Sequence, residues 1–403
     1  MNKAYFLIVF LTVNGAVMNG LIQTHPIGLV GFLLLAIVVA LVNAYWLRRL
    51  GSRQLPKQLP RVSVLIPARN EEENLERCLL SLLAQDYTQF EIQVLDDRST
   101  DRTAEIAAGF AQRDGRCRVL RGKDLPDGWL GKHWACHQLA QSAKGELLLF
   151  IDADTWFQPT ALSDAVALME MDGLDVLSAV PKEEMASVGE QLVVPYFLFA
   201  NFAFVPLFLA STLHIPDFSF TIGQFMLFQR AAYVQIGGHA AVRGDVADDV
   251  ALGRLIVRKG LRWVLADATE RIHCRMYHTF GEAWSGFSKN MFAGFGYRLI
   301  PYMLIWAWCA ILFWEPLVVS SLAVIGQPPA YFPLDLAVTA YGLGCLLWAI
   351  PYARLKLPFY WVPIHPLVFA VALAIAMNAL LATIAGGASW KGRKVPRAKI
   401  RLF

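Results

Sequence analysis

Charge is scarce in this sequence. Only 17% of its 403 residues are Asp, Glu, Lys or Arg, against 56% hydrophobic, and the mean hydropathy is +0.44. That is too apolar for an ordinary soluble domain and too charged for a pure membrane bundle. The net charge of +4 lacks the basic excess of a nucleic-acid binder. Cysteine is sparse as well: six, at positions 78, 117, 136, 274, 309 and 345, with no Cys-x-x-Cys pair. Neither a zinc site nor a disulfide framework is indicated, and a reducing compartment fits. The central region also lacks both Gly-x-x-x-x-Gly-Lys and Gly-x-Gly-x-x-Gly, so it has no glycine loop of the kinds that cradle phosphate.

What is present is unevenly placed. Residues 4–22 are apolar, Gln23–Pro26 is a polar break, and residues 27–47 are a charge-free run long enough to cross a bilayer. Arg48, Arg49 and Arg53 follow at once and put that end on the cytoplasmic side. The expectation is a membrane anchor over 1–50 with one or two spans, two being favoured as a hairpin; residues 1–22 show no convincing signal-peptide cleavage site. Apolar runs return at roughly 301–326, 334–353 and 361–386, and a basic tail over 389–403 carries Lys391, Arg393, Lys394, Arg397, Lys399 and Arg401. Three full crossings would leave that tail on the wrong side for its charge, so either one of the three runs is re-entrant or interfacial, or the charge rule is broken here.

Between these ends, residues 60–298 alternate strand and helix. Buried-strand runs are expected at Arg61–Pro67, Phe90–Leu95, Cys117–Leu120 and Leu147–Ile151, with helices between them. Leu75, Leu79, Leu82 and Leu83 line one face of the first of those helices. Such alternation predicts an α/β fold with a mostly parallel, Rossmann-like sheet. Ligands bind such sheets beyond the carboxyl ends of the strands. There this sequence places acids: Asp96 and Asp97 after one strand, Asp152 and Asp154 after another. Residues two apart on a strand share a face, so Asp152 and Asp154 can converge on one divalent cation, Mg²⁺ or Mn²⁺, whose remaining ligands would be substrate phosphates. Four acids facing one cleft with the Pro67–Glu71 turn repel each other unless a cation or ribose hydroxyls engage them. Together these features describe a nucleoside-diphosphate site.

Val64-Leu-Ile-Pro-Ala-Arg-Asn-Glu71, Asp96-Asp-Arg-Ser-Thr-Asp101 and Asp152-Ala-Asp154 resemble the nucleotide-sugar motifs of family-two inverting glycosyltransferases with the GT-A fold. Trp129–Cys136, Arg275-Met-Tyr277 and Ser288-Lys-Asn290 resemble its membrane-bound branch, which includes carotenoid glucosyltransferases of the diaponeurosporenoate and chlorobactene type. The resemblance covers about residues 60–300. It implies that Asp96 or Asp97 holds the uracil or ribose, that Asp154 with Asp152 holds the metal, and that the Pro67, Arg69, Asn70 and Glu71 turn contacts the donor. It also implies an acidic pair on a later helix whose second member is the catalytic base. Here that pair is Asp248-Asp249, with Asp in the first position where the family has Glu, and Asp245 is the runner-up. Helix N-terminal acids favoured by the macrodipole would explain one of the pair without catalysis. Lys132, Arg275 and Lys289 are candidates to neutralise the leaving diphosphate.

The function expected is single transfer from a UDP-hexose to a hydroxyl or carboxyl of a lipid in the inner membrane, with inversion, possible in carotenoid glycoside biosynthesis. The catalytic domain would be cytoplasmic. A polyprenyl-phosphate or other glycolipid transferase is the alternative, and a processive polysaccharide synthase another. Processive members of the family carry Gln-x-x-Arg-Trp after the base, whereas Arg262-Trp263 here lacks the glutamine and follows Asp249 too soon. The aromatic, proline-broken segment 191–229 is expected to lie at the lipid interface.

Overall fold

The computed structural model describes residues 3–51, 55, 58–386, 389–390, 393–394 and 399–403, with side chains for 24–51, 55, 58–386 and 399–403. Arg53, Lys391 and Arg397 lie outside the described residues. α1 (Lys3–Trp46) is one helix of 44 residues with Pro26 inside it, so the expected hairpin of two spans does not form. The polarity that suggested a turn has another use: His25 Nε2 lies 2.6 Å from Glu315 Oε2 of a later apolar helix.

From α1 the chain passes through β1 (Arg48–Arg49) into the α/β domain: β2 (Val62–Ala68), α2 (Leu75–Leu83), β3 (Phe90–Asp96), α3 (Thr103–Arg113), β4 (Cys117–Arg121), α4 (Gly131–Ser142) and β5 (Leu147–Ile151). Next come β6 (Thr155–Phe157), α5 (Ala161–Met171), β7 (Val176–Val180), β8 (Lys182–Glu183), α6 (Val188–Phe204) and α7 (Leu207–Thr212). The domain closes with β9 (Phe225–Gln229), α8 (Arg230–Gln235), α9 (Asp248–Arg258), β10 (Trp263–Asp267), β11 (Ile272–Cys274) and α10 (Phe280–Gly294). The main sheet has the order β1-β10-β7-β9-β5-β2-β3-β4. All neighbours are parallel except β9, which runs antiparallel between β5 and β7. All five residues of β5 are buried, as an uninterrupted apolar run covered on both faces requires. A small sheet, β6-β11-β8, lies beside it.

The segment 191–229 corrects the interfacial expectation in part. Its last five residues are β9, a central strand, and Phe199 and Phe202 on α6 are buried against protein. Phe199 stacks on Trp348 with ring centroids 3.9 Å apart. α6 starts with a capping box, Ser187 Oγ accepting from Glu190 N while Glu190 accepts from Ser187 N. It rests against the apolar helices through Phe199 and Tyr196.

Those helices are α11 (Leu299–Val324), α12 (Leu334–Arg354) and α13 (His365–Ala385). Counting the 24–46 part of α1, α11, α12 and the 359–385 stretch that contains α13, four helical segments among the described residues are long and apolar enough to cross a membrane. Arg354, ending α12, donates to the carbonyls of Ala44 and Leu47 and pairs with Asp267 of the catalytic sheet. α13 begins part-way along its neighbours: His365 packs on Phe313 and Trp348, and Trp314 Nε1 donates to Pro366 O at 3.0 Å. Tyr302, in the first turn of α11, donates to Ala376 O. Beyond α13 the chain returns to that same end, where Leu299 N donates to Arg401 O and Arg401 N to Tyr297 O.

Candidate active site

Strand ends build the site. A cleft of about 620 Å³ opens past the carboxyl ends of β2, β3 and β5 and is lined by Pro67, Arg69, Asn70, Glu71, Asp97, Lys132, Asp152 and Asp154. Two loops form one wall. Asn70 adopts a left-handed φ of 53°, affordable for Asn because its short amide bonds locally. Its backbone N–H donates to Ser99 Oγ, and its Oδ1 accepts from Thr100 N. Arg69 donates to Asp97 O at 2.6 Å, and Glu71 N donates to Thr103 Oγ1. The Arg69-Asn70 pair therefore stitches the β2 loop to the β3 loop, which sets the cleft's width. Asp96 is spent on its own turn, accepting from Ser99 N, and Asp97 is the member of that pair that lines the cleft.

Lys132, near the start of α4, lies 2.6 Å from Asp152 Oδ1. Asp154 Oδ1 is buried with no hydrogen-bond partner among the described residues. Burial, then the charges of Asp152 and Glu71, push its carboxyl up to about 7. An orphaned carboxylate oxygen crowded by two further acids fits a hard divalent cation, which would satisfy the oxygen and offset the repulsion. Asp154, with Asp152 beside it, would hold that ion.

The second acidic pair opens α9. Burial and then the neighbouring Asp248 raise Asp249 to about 7, while its Oδ1 accepts from Val250 N. Its carbonyl accepts from both Thr221 N and Oγ1, which fixes the first turn. Asp248 is also opposed by burial, but His133, Lys132 and His239 hold it below the usual carboxylate range. Burial lowers both histidines, His239 to about 3, so near neutral pH Lys132 is the cation that keeps Asp248 ionised. Lys132 thus sits electrostatically between the two acidic pairs, raised above the ordinary lysine range by Asp152 and Asp248 despite the opposing effect of burial.

Asp248, Asp249, Arg275 and Lys289 are not among the cleft's lining residues. Arg275 N donates to Asp154 O, and its guanidinium bonds Glu190 of the α6 capping box. Lys289 lies on α10, near enough for its charge to lower His133. The cleft also takes in Tyr277, His278 and Glu282. Behind Asp154, Gln224 Nε2 donates to Glu183 Oε1 at 2.8 Å and contacts Cys274 Sγ. Nothing local in the sequence marks Glu183 or Gln224, because β8, β9 and β11 come from three separate stretches. His133 was readable only as a histidine without metal spacing; its place 3.7 Å from Asp248 is tertiary.

The family model described as "Glycosyl transferase family 2" matches residues 63–237, somewhat under half of the chain. That stretch matches a family 2 glycosyltransferase domain. That match ends before α9, so Asp248 and Asp249 stand on geometry and resemblance alone. The chain is 29% identical over 241 residues to the 4,4'-diaponeurosporenoate glycosyltransferase of Staphylococcus haemolyticus, covering 58% of this chain and 61% of that one. The Staphylococcus aureus protein of that name is 25% identical over 258 residues, 62% of this chain and 66% of that one. The chain's match spans about three fifths of these curated relatives' length. Among solved structures, a mannosyltransferase from Pyrobaculum calidifontis in complex with GDP-Man and Mn²⁺ superposes with a TM-score of 0.51 at 18% identity, covering 90% of this chain and 99% of that one. The GT-A fold is shared, and in this chain apolar helices flank the catalytic domain at both ends.

Proposed function

We propose that this chain transfers one hexose from a nucleoside-diphosphate sugar, UDP-hexose as the first expectation, to a hydroxyl or carboxyl of a membrane lipid with inversion. One observation supports the reading: Lys132, salt-bridged to Asp152 in the cleft, also lies within electrostatic reach of Asp248 and Asp249, so the cation site and the candidate base are neighbours. Asp97 and the stitched Pro67–Glu71 turn receive the nucleoside. A divalent cation at Asp154 and Asp152 would neutralise the departing diphosphate, and Lys132 adds a second positive charge there. Asp249 takes the proton from the acceptor as the new bond forms. One base and no enzyme nucleophile give a single displacement, hence inversion.

A lipid acceptor accounts for why α6, whose capping glutamate holds Arg275 beneath Asp154, also packs on α11 and α12. The relatives named 4,4'-diaponeurosporenoate glycosyltransferase support such an acceptor. For topology, we propose that α1, α11 and α12 cross the membrane while 355–385 dips in and returns. The domain and residues 399–403 then share the cytoplasmic face, which satisfies the basic tail. The decisive experiment incubates membranes containing the protein with labelled UDP- and GDP-hexoses and identifies the lipid that becomes labelled. Donor hydrolysis without a labelled lipid would remove the lipid acceptor from the reading.

A further inference from the structure

A second cavity, of about 830 Å³, lies where α1 meets the catalytic domain, in the size range of ligand pockets. It shares no lining residue with the cleft. It sits at the amino end of β10 and the carboxyl end of α9, about 16 Å along that helix from Asp248 by helical rise. Its walls are apolar, from Leu207, Val257, Leu261 and Leu265. Its rim adjoins strongly exposed apolar side chains: Tyr45 is 89% exposed, and Trp46 and Leu213 are also exposed. Aromatic residues at the end of an apolar helix mark the headgroup level of a bilayer.

The polar groups in this cavity are mostly donors. Arg48 and Arg262 line it, against one acid, Asp172, whose Oδ2 is 3.6 Å from Arg48 Nε in a half-exposed pair. Trp263 also lines it. Two guanidiniums call for an anion, guanidinium being suited to phosphate. Apolar walls at headgroup level call for an acyl chain.

From this we infer that the cavity binds one anionic phospholipid of the adjoining leaflet, phosphate toward Arg48 and Arg262 and chain along Leu207 and Leu261. The site is separate from the acceptor, and the inference needs only membrane association.

The test uses full-length protein in neutral detergent, with thermal melting followed as phosphatidylglycerol, phosphatidylcholine or inorganic phosphate is added. Phosphatidylglycerol is expected to raise the melting temperature saturably, and the other two to leave it unchanged. Arg48→Gln with Arg262→Gln is expected to weaken the phosphatidylglycerol response at least tenfold in midpoint concentration. Arg262→Gln alone should weaken it less. Melting in phosphatidylcholine and donor hydrolysis should match the unaltered protein in all variants. If the double variant does not fold, Arg262→Gln alone decides. An equal response to phosphatidylcholine, an equal response to phosphate alone, or an unchanged midpoint in the folded variants would overturn the site.

Discussion

At the scale of residues, the proposed chemistry rests on two carboxyls whose proton affinity is raised by position. Asp249 is raised to about 7 by burial and by Asp248, and a base acts only when ionised. Transfer should therefore fall about tenfold per pH unit below 7 and level off above it, read from kcat/KM profiles at saturating cation. Asp249→Asn should keep donor binding but slow transfer by roughly 10²–10⁴-fold, the usual share of general-base catalysis. Asp248→Asn should cost less. Loss of a helix cap would lower stability by only about 1 kcal/mol and would not separate binding from turnover; normal transfer by Asp249→Asn would transfer the base role to Asp248 or Asp245. Asp154 makes a different prediction. Its folded carboxyl holds a proton more tightly than the unfolded chain does, so in cation-free protein its contribution to stability is present below pH 4 and lost as pH rises to about 7. Asp154→Asn should consequently melt higher than the unaltered protein at pH 8 without cation, match it below pH 4, and be inactive throughout. Chelation of the unaltered protein should reproduce that inactivity.

At the scale of elements, α6 couples the catalytic domain to the apolar helices. Its aromatic side chains looked like lipid contacts, but Phe199 is wholly buried and stacked on Trp348. Phe199→Ala should therefore cost about 3–5 kcal/mol of stability, as for other large-to-small core changes, and donor hydrolysis and lipid transfer should fall together with protein yield. Selective loss of lipid transfer at full yield would restore the lipid-contact reading. The buried face of α2, with Leu75, Leu79 and Leu82, followed from apolar spacing. The antiparallel insertion of β9 did not, because Phe225–Gln229 is as apolar as its aromatic surroundings and period alone cannot tell a buried strand from a buried helix.

At the scale of the whole molecule, the proposed topology predicts that cysteines introduced at Lys123 and at Leu402 react with a membrane-impermeant thiol reagent only from the cytoplasmic side. One at Gln327, between α11 and α12, should react only from the other. Opposite labelling of positions 123 and 402 would mean that 355–385 crosses completely. Much of this molecule was legible in its sequence. Hydropathy depends on composition, so the apolar ends and the polar centre could be read directly. Strand runs that end in Asp96-Asp97 and Asp152-Ala-Asp154 carried the cleft with them, because a parallel sheet brings its carboxyl ends to one edge. Tertiary structure decided what depends on contacts between distant segments. It joined His25 to Glu315 across 290 positions, where the sequence suggested a turn. It set Asp97 into the cleft and Asp96 into a turn, put Lys132 between the acidic pairs, and started α13 beside the middle of α11. None of these follows from local pattern, since each is fixed by which partner a side chain meets after the chain has folded.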